Sequence, residues 1–463
     1  MVTLICGVLV AWGLWECGLG YAQLLGMQAS RHVLYPATGS FYNPGPYCGF
    51  LAMIMPVALG VVLSGNARRP LYWLSVLYMM AALALMPVLM GRTGWLAAAA
   101  GCLTAYMAAG RVANPRRLLL WTGAACMVAL PLLYWLKPAS ALGRLFLWRM
   151  GLDACLTRPW SGVGWNNVAG ALGEAQEAWF ASHPDSAYAS VAGSPEYAFN
   201  EFLQIGVAWG VPAALLFAAA IAAVAVVSVR GRCGGIAGAA VAFAVVCFSS
   251  YPLQFAQYIG AMALVCCAAV CTWRRLHVAA VWIVCGAVVA TAALACAGVQ
   301  HRDAMSQRWK TMRYAYQHRL SDKNLSALDS IASGMDWSAR FMFDYGKALR
   351  HNGLYARSTE VLERGVDISS DPMFLNLIGR NCVDMGLYAE AEHYYRRSID
   401  RLPGRLYPYY LLAQLYASPE YFNDSCFKAV YRVAIDLEPK IQSPAIRQMK
   451  AGLHRLNDSI ASR

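Results

Sequence analysis

The sequence predicts an all-α chain, a polytopic membrane helix bundle followed by a soluble tetratricopeptide-like α-solenoid. Three observations predict it. Of 463 residues, 59% are hydrophobic and only 14% charged, too apolar for an ordinary soluble enzyme and long enough for more than one domain. Of the 25 acids, residues 1–300 hold only Glu16, Asp153, Glu174, Glu177, Asp185, Glu196 and Glu201, and the tail holds the rest. Within that tail, short motifs recur at a fixed step. The two parts divide near Val299, giving a transmembrane domain over 1–300 and a repeat domain over 301–463.

A bilayer core takes about 20 apolar residues in helical form, because only a helix or a closed barrel satisfies its own backbone there. About nine stretches qualify, near 1–22, 46–64, 71–90, 93–110, 118–136, 202–229, 234–251, 255–272 and 278–299. The first lacks the basic flank and small-residue cleavage site of a signal peptide and reads directly as a membrane helix. Arg68 and Arg69, then Arg111, Arg116 and Arg117, then Arg230 and Arg232, then Arg274 and Arg275 fall in every second linker. The positive-inside rule assigns those linkers to the cytoplasm. The 23–45 loop, the turn at Arg92, the long 137–201 segment, the 252–254 turn and everything after 299 then lie outside. The net charge is +13, but in the first part the basic residues sit in such short clusters between apolar runs, so membrane lipids are the expected partners and nucleic acid is not.

The tail repeats itself. Tyr345-Gly346, Gly353-Leu354-Tyr355 and Val366-Asp367 recur 33 positions later as Ile378-Gly379, Gly386-Leu387-Tyr388 and Ile399-Asp400, and a third copy follows with Ala434-Ile435-Asp436 after a short insertion. This period is that of a tetratricopeptide array, whose paired helices stack on their neighbours and commonly bind a protein partner or pack on their own enzyme. The 15 cysteines sit mostly in apolar segments as small hydrophobes, and no CxxC pair points to a metal or redox site. Cys382 and Cys426 are expected to be free thiols rather than a disulfide.

Chemistry is expected in the long outside segment, where six of the seven acids of the membrane part lie beside Lys137, Arg144, Arg149 and Arg158. An ordinary solvated loop would also carry charge, but three features argue for more. Arg92 sits alone in Gly91-Arg92-Thr93-Gly94-Trp95 between two apolar helices; a permanently charged fork there suits an anionic phosphate, or a lipid headgroup as an anchor. Arg144 and Trp148 share a helix face, whereas Arg149 and Asp153 are spaced to pair with each other, which favours Arg144 as the functional cation. Pro159-Trp160-Ser161-Gly162-Val163-Gly164-Trp165 then reads as a tight turn with aromatic platforms, suited to sugars and equally to an interfacial belt. Last, Ser194 to Phe202 places Glu196, Asn200 and Glu201 at the mouth of a membrane helix. A carboxylate facing a low-dielectric cavity is poised to take a proton from a hydroxyl; Glu201 could instead cap its own helix.

With these residues in view, the chain resembles the O-antigen ligase and polymerase family of bacterial envelopes. The matching features are Phe41-Tyr42-Asn43-Pro44-Gly45-Pro46-Tyr47, the Gly91-Arg92-Thr93 turn, Arg144 with Trp148 and the Pro159 to Gly164 turn, and Asn200-Glu201-Phe202-Leu203-Gln204, spanning about residues 38–260. The resemblance implies an inverting, metal-independent glycosyltransferase without cofactors in the bacterial inner membrane. It would take a glycan from undecaprenyl diphosphate on the periplasmic face, with Arg92 and Arg144 gripping the diphosphate and Trp148, Arg149 and Asn200 lining the substrate site. Many members carry a histidine where this chain has Phe199, so the base is sought among Glu201, Glu196 and His183, in that order. Relatives also have about twelve membrane helices, so nine would mean that the chain starts late or that its N-terminal part is missing.

The leading expectation is therefore transfer of a glycan to an acceptor hydroxyl, on lipid A core, on a protein serine or threonine, or on another growing chain. The acceptor separates a ligase, a protein O-oligosaccharyltransferase and a polysaccharide polymerase, and the sequence leaves that choice open. A glycolipid flippase or a membrane scaffold is the non-enzymatic alternative. A flippase needs ionisable groups at mid-membrane depth, for which Glu16 is the one candidate, and it lies near the end of its helix.

Overall fold

A computed structural model describes residues 1–65, 68–110, 138–273, 322–439 and 442–461, and parts of 111–137 and 274–321. The described residues are helical, without a strand. In chain order the helices are α1 (Val2–Leu24), α2 (Pro44–Ser64), α3 (Arg69–Leu89), α4 (Arg92–Ala108), α5 (Pro138–Thr157), α6 (Val168–Ser182), α7 (Glu201–Trp209), α8 (Val211–Arg230), α9 (Gly234–Ser249) and α10 (Ala256–Thr272). The tail supplies α11 (Asp322–Ala332), α12 (Ala339–His351), α13 (Tyr355–Asp367), α14 (Met373–Asp384), α15 (Tyr388–Arg401), α16 (Leu406–Ala417), α17 (Asp424–Asp436) and α18 (Pro444–Ala461).

Of the apolar stretches, those near 118–136 and 278–299 lie outside the residues described throughout. α1, α2, α3 and α8 are long and apolar enough to cross a membrane, and α9 and α10 are shorter apolar helices. The chain is a multi-pass membrane protein. The single helix expected over 202–229 is instead two. Gly210 adopts φ +86, its amide closes α7 on the Gly206 carbonyl at 2.9 Å, and Pro212 follows. A side chain at Gly210 would press on the Trp160 carbonyl oxygen at 2.5 Å, so only glycine fits this break.

The first compact unit comprises residues 1–138, 199–202 and 212–300. Its centre is α2, buried almost all round from Tyr47 to Ala58, as a helix at the middle of a bundle must be. Small residues let α2, α4 and α9 approach closely. A Cβ on Gly101 would meet Pro56 Cγ at 2.5 Å and the Gly238 carbonyl at 2.7 Å, and one on Gly60 would meet Gly235 Cα at 2.6 Å. On the outside, α3 exposes Trp73, Leu77 and Met80 and α8 exposes Leu215 and Leu216, the dressing of a lipid-facing surface.

The second unit comprises 139–198, 203–211 and 301–463. The division expected at residue 300 therefore differs: the long segment clusters with the tail rather than with the apolar helices that flank it. Long-range packing decides this, since Phe146 and Met150 of α5 share a core with Phe180 of α6 and Leu402 of the tail. In the tail the helices follow one another as hairpins. Gly353 and Gly386 turn the first two with φ +75 and +76, and Leu354 and Leu387 bond back to the Leu349 and Cys382 carbonyls at 3.0 and 2.8 Å. Gly346 makes room for Leu362, and Gly379 for Tyr395, at the same step. Cys382 and Cys426 are free.

Candidate functional site

Four pieces of chain meet at one end of the first unit. The first is the 38–45 loop. Glu16 accepts from Ser40 through both carboxylate oxygens, at 2.6 Å from the hydroxyl and 3.0 Å from the amide. Gln23 accepts from the amides of Thr38 and Gly39 at 2.8 Å each, and Gln257 donates to the Ser40 hydroxyl at 2.9 Å. The buried carboxylate of Glu16 thus holds a loop. Asn43 ends this piece by capping α2, its Oδ1 accepting from the Gly45 amide at 2.9 Å, while Nδ2 donates to the Tyr251 hydroxyl at 3.5 Å.

The second piece is the start of α4. Met90 turns the chain with φ 49 and Gly91 precedes the helix, so Arg92 is its first residue and half-buried. Close approach fixes this turn, because Cβ atoms on Gly91 and Gly94 would each meet Cys48 at 2.5 Å. Thr93 and Ser249 share a hydrogen bond of 2.8 Å, which ties the turn to the third piece, residues 249–255. There the Tyr251 ring meets Phe199 edge-on at 4.9 Å.

The fourth piece, 199–202, carries the most unusual group. Glu201 is 1% exposed. Its Oε1 accepts from the Leu253 amide at 2.8 Å, and its Oε2 is buried without a hydrogen-bond partner. Burial drives its carboxyl up to about 7, the Leu253 amide opposing the shift. Capping of its own helix falls to Asn200 instead, whose Oδ1 accepts from the Phe202 amide at 3.0 Å. Phe199 just before them has φ +50, a conformation costly for a bulky residue and held here by its surroundings. In the turn that holds Glu201, Gln254 Nε2 is likewise buried without a partner. An unmatched acceptor and an unmatched donor are the polar equipment that a bound hydroxyl group would satisfy.

The other expected residues belong to the second unit. Arg149 bonds to Asp153 at 3.2 Å, as their spacing requires, and its guanidinium lies 5.2 Å from the Trp179 ring centroid. Arg144 and Trp148 lie one turn apart on α5, both half-buried. His183 is exposed at the end of α6, with Nδ1 3.0 Å from the Trp179 carbonyl and its ring stacked on Trp179 at 4.2 Å; Glu196 is exposed. Arg149, Asp153, Asn167, Trp179 and His183 line a cleft of about 870 Å³. The Pro159 turn is hooked to α7 and the start of α8: Val163 and Gly164 donate to the Val207 and Ala208 carbonyls at 2.9 Å each, and Val211 donates to Pro159 at 2.7 Å. Among the described residues no group of histidines, cysteines and carboxylates could hold a metal ion.

The sequence alone did not single out Ser249, Tyr251, Leu253 and Gln254. Their signal was present as a polar Ser249-Ser250-Tyr251 run between two apolar helices.

Residues 48–218 match the family model described as O-antigen ligase. This chain carries an O-antigen ligase-family domain. The match opens inside α2 and ends inside α8, so it takes in Arg92, Arg144 and Glu201 and leaves Asn43 and 249–254 outside it. Neither the curated proteins nor the solved structures gave a match. A domain of this family supports, in general, a membrane transferase of the O-antigen ligase and polymerase kind.

Proposed function

We propose that this O-antigen ligase-family protein moves a glycan from undecaprenyl diphosphate to an acceptor hydroxyl at the periplasmic face of the bacterial inner membrane, inverting the anomeric carbon without a metal. Glu201 carries the reading. A buried carboxyl with one oxygen fixed by a backbone amide and the other unmatched, and with its pKa lifted to about 7, is suited to accept a proton near neutral pH. The acceptor oxygen attacks the anomeric carbon and gives its proton to Glu201 Oε2. The bond from that carbon to the diphosphate oxygen breaks, and its electron pair leaves with the diphosphate. Arg92 and Arg144 are assigned to that departing charge, because preorganised cations lower the barrier where negative charge develops. Trp148 is assigned to the sugar.

Asn200 and Arg149 drop to supporting roles in this scheme, since one caps α7 and the other pairs with Asp153. Glu196 and His183 rank behind Glu201 because both are exposed. Glu16 gives no support to a flippase, since Ser40 occupies both its oxygens. Lipid A core is the proposed acceptor. The tail is read as a tetratricopeptide array on the same side of the membrane as the long segment.

The test is the envelope glycan profile of a deletion strain complemented with wild type, Glu201→Gln or Arg92→Ala at equal protein level. Long glycan held on the carrier lipid and missing from lipid A core supports a ligase. Glycan missing from protein instead identifies a protein O-oligosaccharyltransferase, and single repeat units identify a polymerase. An unchanged profile in the deletion strain, with no second family member present, refutes transfer.

A further inference from the structure

The second unit contains a contact that the scheme above does not use. Helix α6 of the long segment lies across α15 and the end of α13 in the tail, and its Glu177 is held by two tail arginines. Glu177 Oε1 accepts from Arg397 Nε at 2.6 Å, and Oε2 accepts from Arg401 Nε and a terminal nitrogen at 3.1 and 2.8 Å. Arg401 is 0% exposed. Next to this pair, the Gln176 amide donates to the Arg401 carbonyl, and Ser370 donates to the Pro195 carbonyl at 2.8 Å.

The helix is shaped for this approach. Gly170 lies against the Asp367 carbonyl so closely that no Cβ fits, and a Cβ on Gly173 would meet Ser370 Cα at 2.9 Å. On its other side α6 contributes Phe180 to the core that buries Phe146 and Met150 of α5, together with Leu402 from the tail. Arg144 and Trp148 lie on that same α5.

We infer that the tail is a clamp for the catalytic segment: Glu177, Arg397 and Arg401 are positioning residues that dock α6 on the repeat and thereby set α5 with Arg144. The partner of this face of the repeat is the chain's own long segment. A fully buried guanidinium whose carboxylate is removed becomes an uncompensated buried charge, so the pair acts as a latch rather than as surface decoration. The positioning half rests on the role proposed for Arg144; the docking half does not.

The experiment uses the full chain, purified in nanodiscs, with a specific protease site inserted after Gln300 and an affinity tag at the N-terminus. After cleavage the tail is expected to stay on the resin with the membrane part. It should be lost by at least tenfold in Glu177→Lys and in Gly170→Leu, which breaks the same contact by bulk rather than charge. Lys428→Ala, which removes an exposed pair within α17, should retain it. Glycan transfer should fall with release of the tail and persist in the cleaved, retained protein. A tail that stays bound in both variants overturns the clamp. Release without loss of transfer overturns positioning. If wild type itself shows no transfer, the proposed function fails while retention still judges the docking.

Discussion

Replacing Glu201 with glutamine tests the site in two independent ways. The side chain keeps its shape, and its carbonyl oxygen can still accept from the Leu253 amide at 2.8 Å, but it can no longer gain or lose a proton. For stability the sign follows from counting protons. Between pH 4.5 and about 7 the folded protein keeps Glu201 protonated while the unfolded chain has released that proton. Stability contributed by this group therefore falls as pH rises across that window and is level above it. The full difference is about 3 kcal/mol, since each tenfold change in proton affinity is worth about 1.4 kcal/mol. The glutamine amide leaves a buried donor without a partner, which returns about 1 kcal/mol or more of that gain. Thermal melts between pH 5 and 8.5 should thus show wild type losing a few degrees that Glu201→Gln does not lose, with the two differing most above pH 7. Transfer by wild type should rise through about pH 7 and then plateau. The variant should be slower by about 10²–10⁴-fold, the usual contribution of a positioned base. Parallel melts in the two proteins would refute the buried, proton-holding carboxyl, and transfer within tenfold of wild type would refute its role as base.

Arg92→Ala should lower transfer by about 10²–10³-fold, with Arg92→Lys intermediate because an ammonium keeps the charge but not the fork; assays of initial rate at equal protein level check this. Arg149→Ala should change the rate by less than about threefold, since its charge is exposed and paired with Asp153. Gly101→Val should lower the melting temperature or abolish accumulation, because its side chain has to enter the space of Pro56 and the Gly238 carbonyl, an overpacking worth about 1–3 kcal/mol or more.

Features written in short-range pattern were legible in the sequence. The apolar runs that became α1, α2 and α3 needed only length and composition, and the Arg149–Asp153 pair needed only its spacing on one helix. The hairpin step of the tail was readable because Gly346 and Gly379, 33 positions apart, do the same job against Leu362 and Tyr395. Long-range placement was not legible. Glu201 finds its amide donor 52 positions away, and Glu177 meets Arg401 across 224, distances over which no periodicity carries information. The break at Gly210 was hidden for a related reason. Hydropathy runs on across Gly210, and what makes a side chain there impossible is the Trp160 carbonyl, from a distant part of the chain.

The hook between Pro159 and Val211 has a consequence for how the protein meets its lipid. Val211 is the first residue of a 20-residue apolar helix, and its amide is bonded to the Pro159 carbonyl. Trp160, next in line and 81% exposed, and Trp209, 51% exposed, therefore sit at the level at which that helix begins. Indole rings favour the headgroup zone. Two exposed indoles held beside the first residue of that helix are therefore expected to mark the headgroup level, which quenching of tryptophan fluorescence by brominated lipids would check.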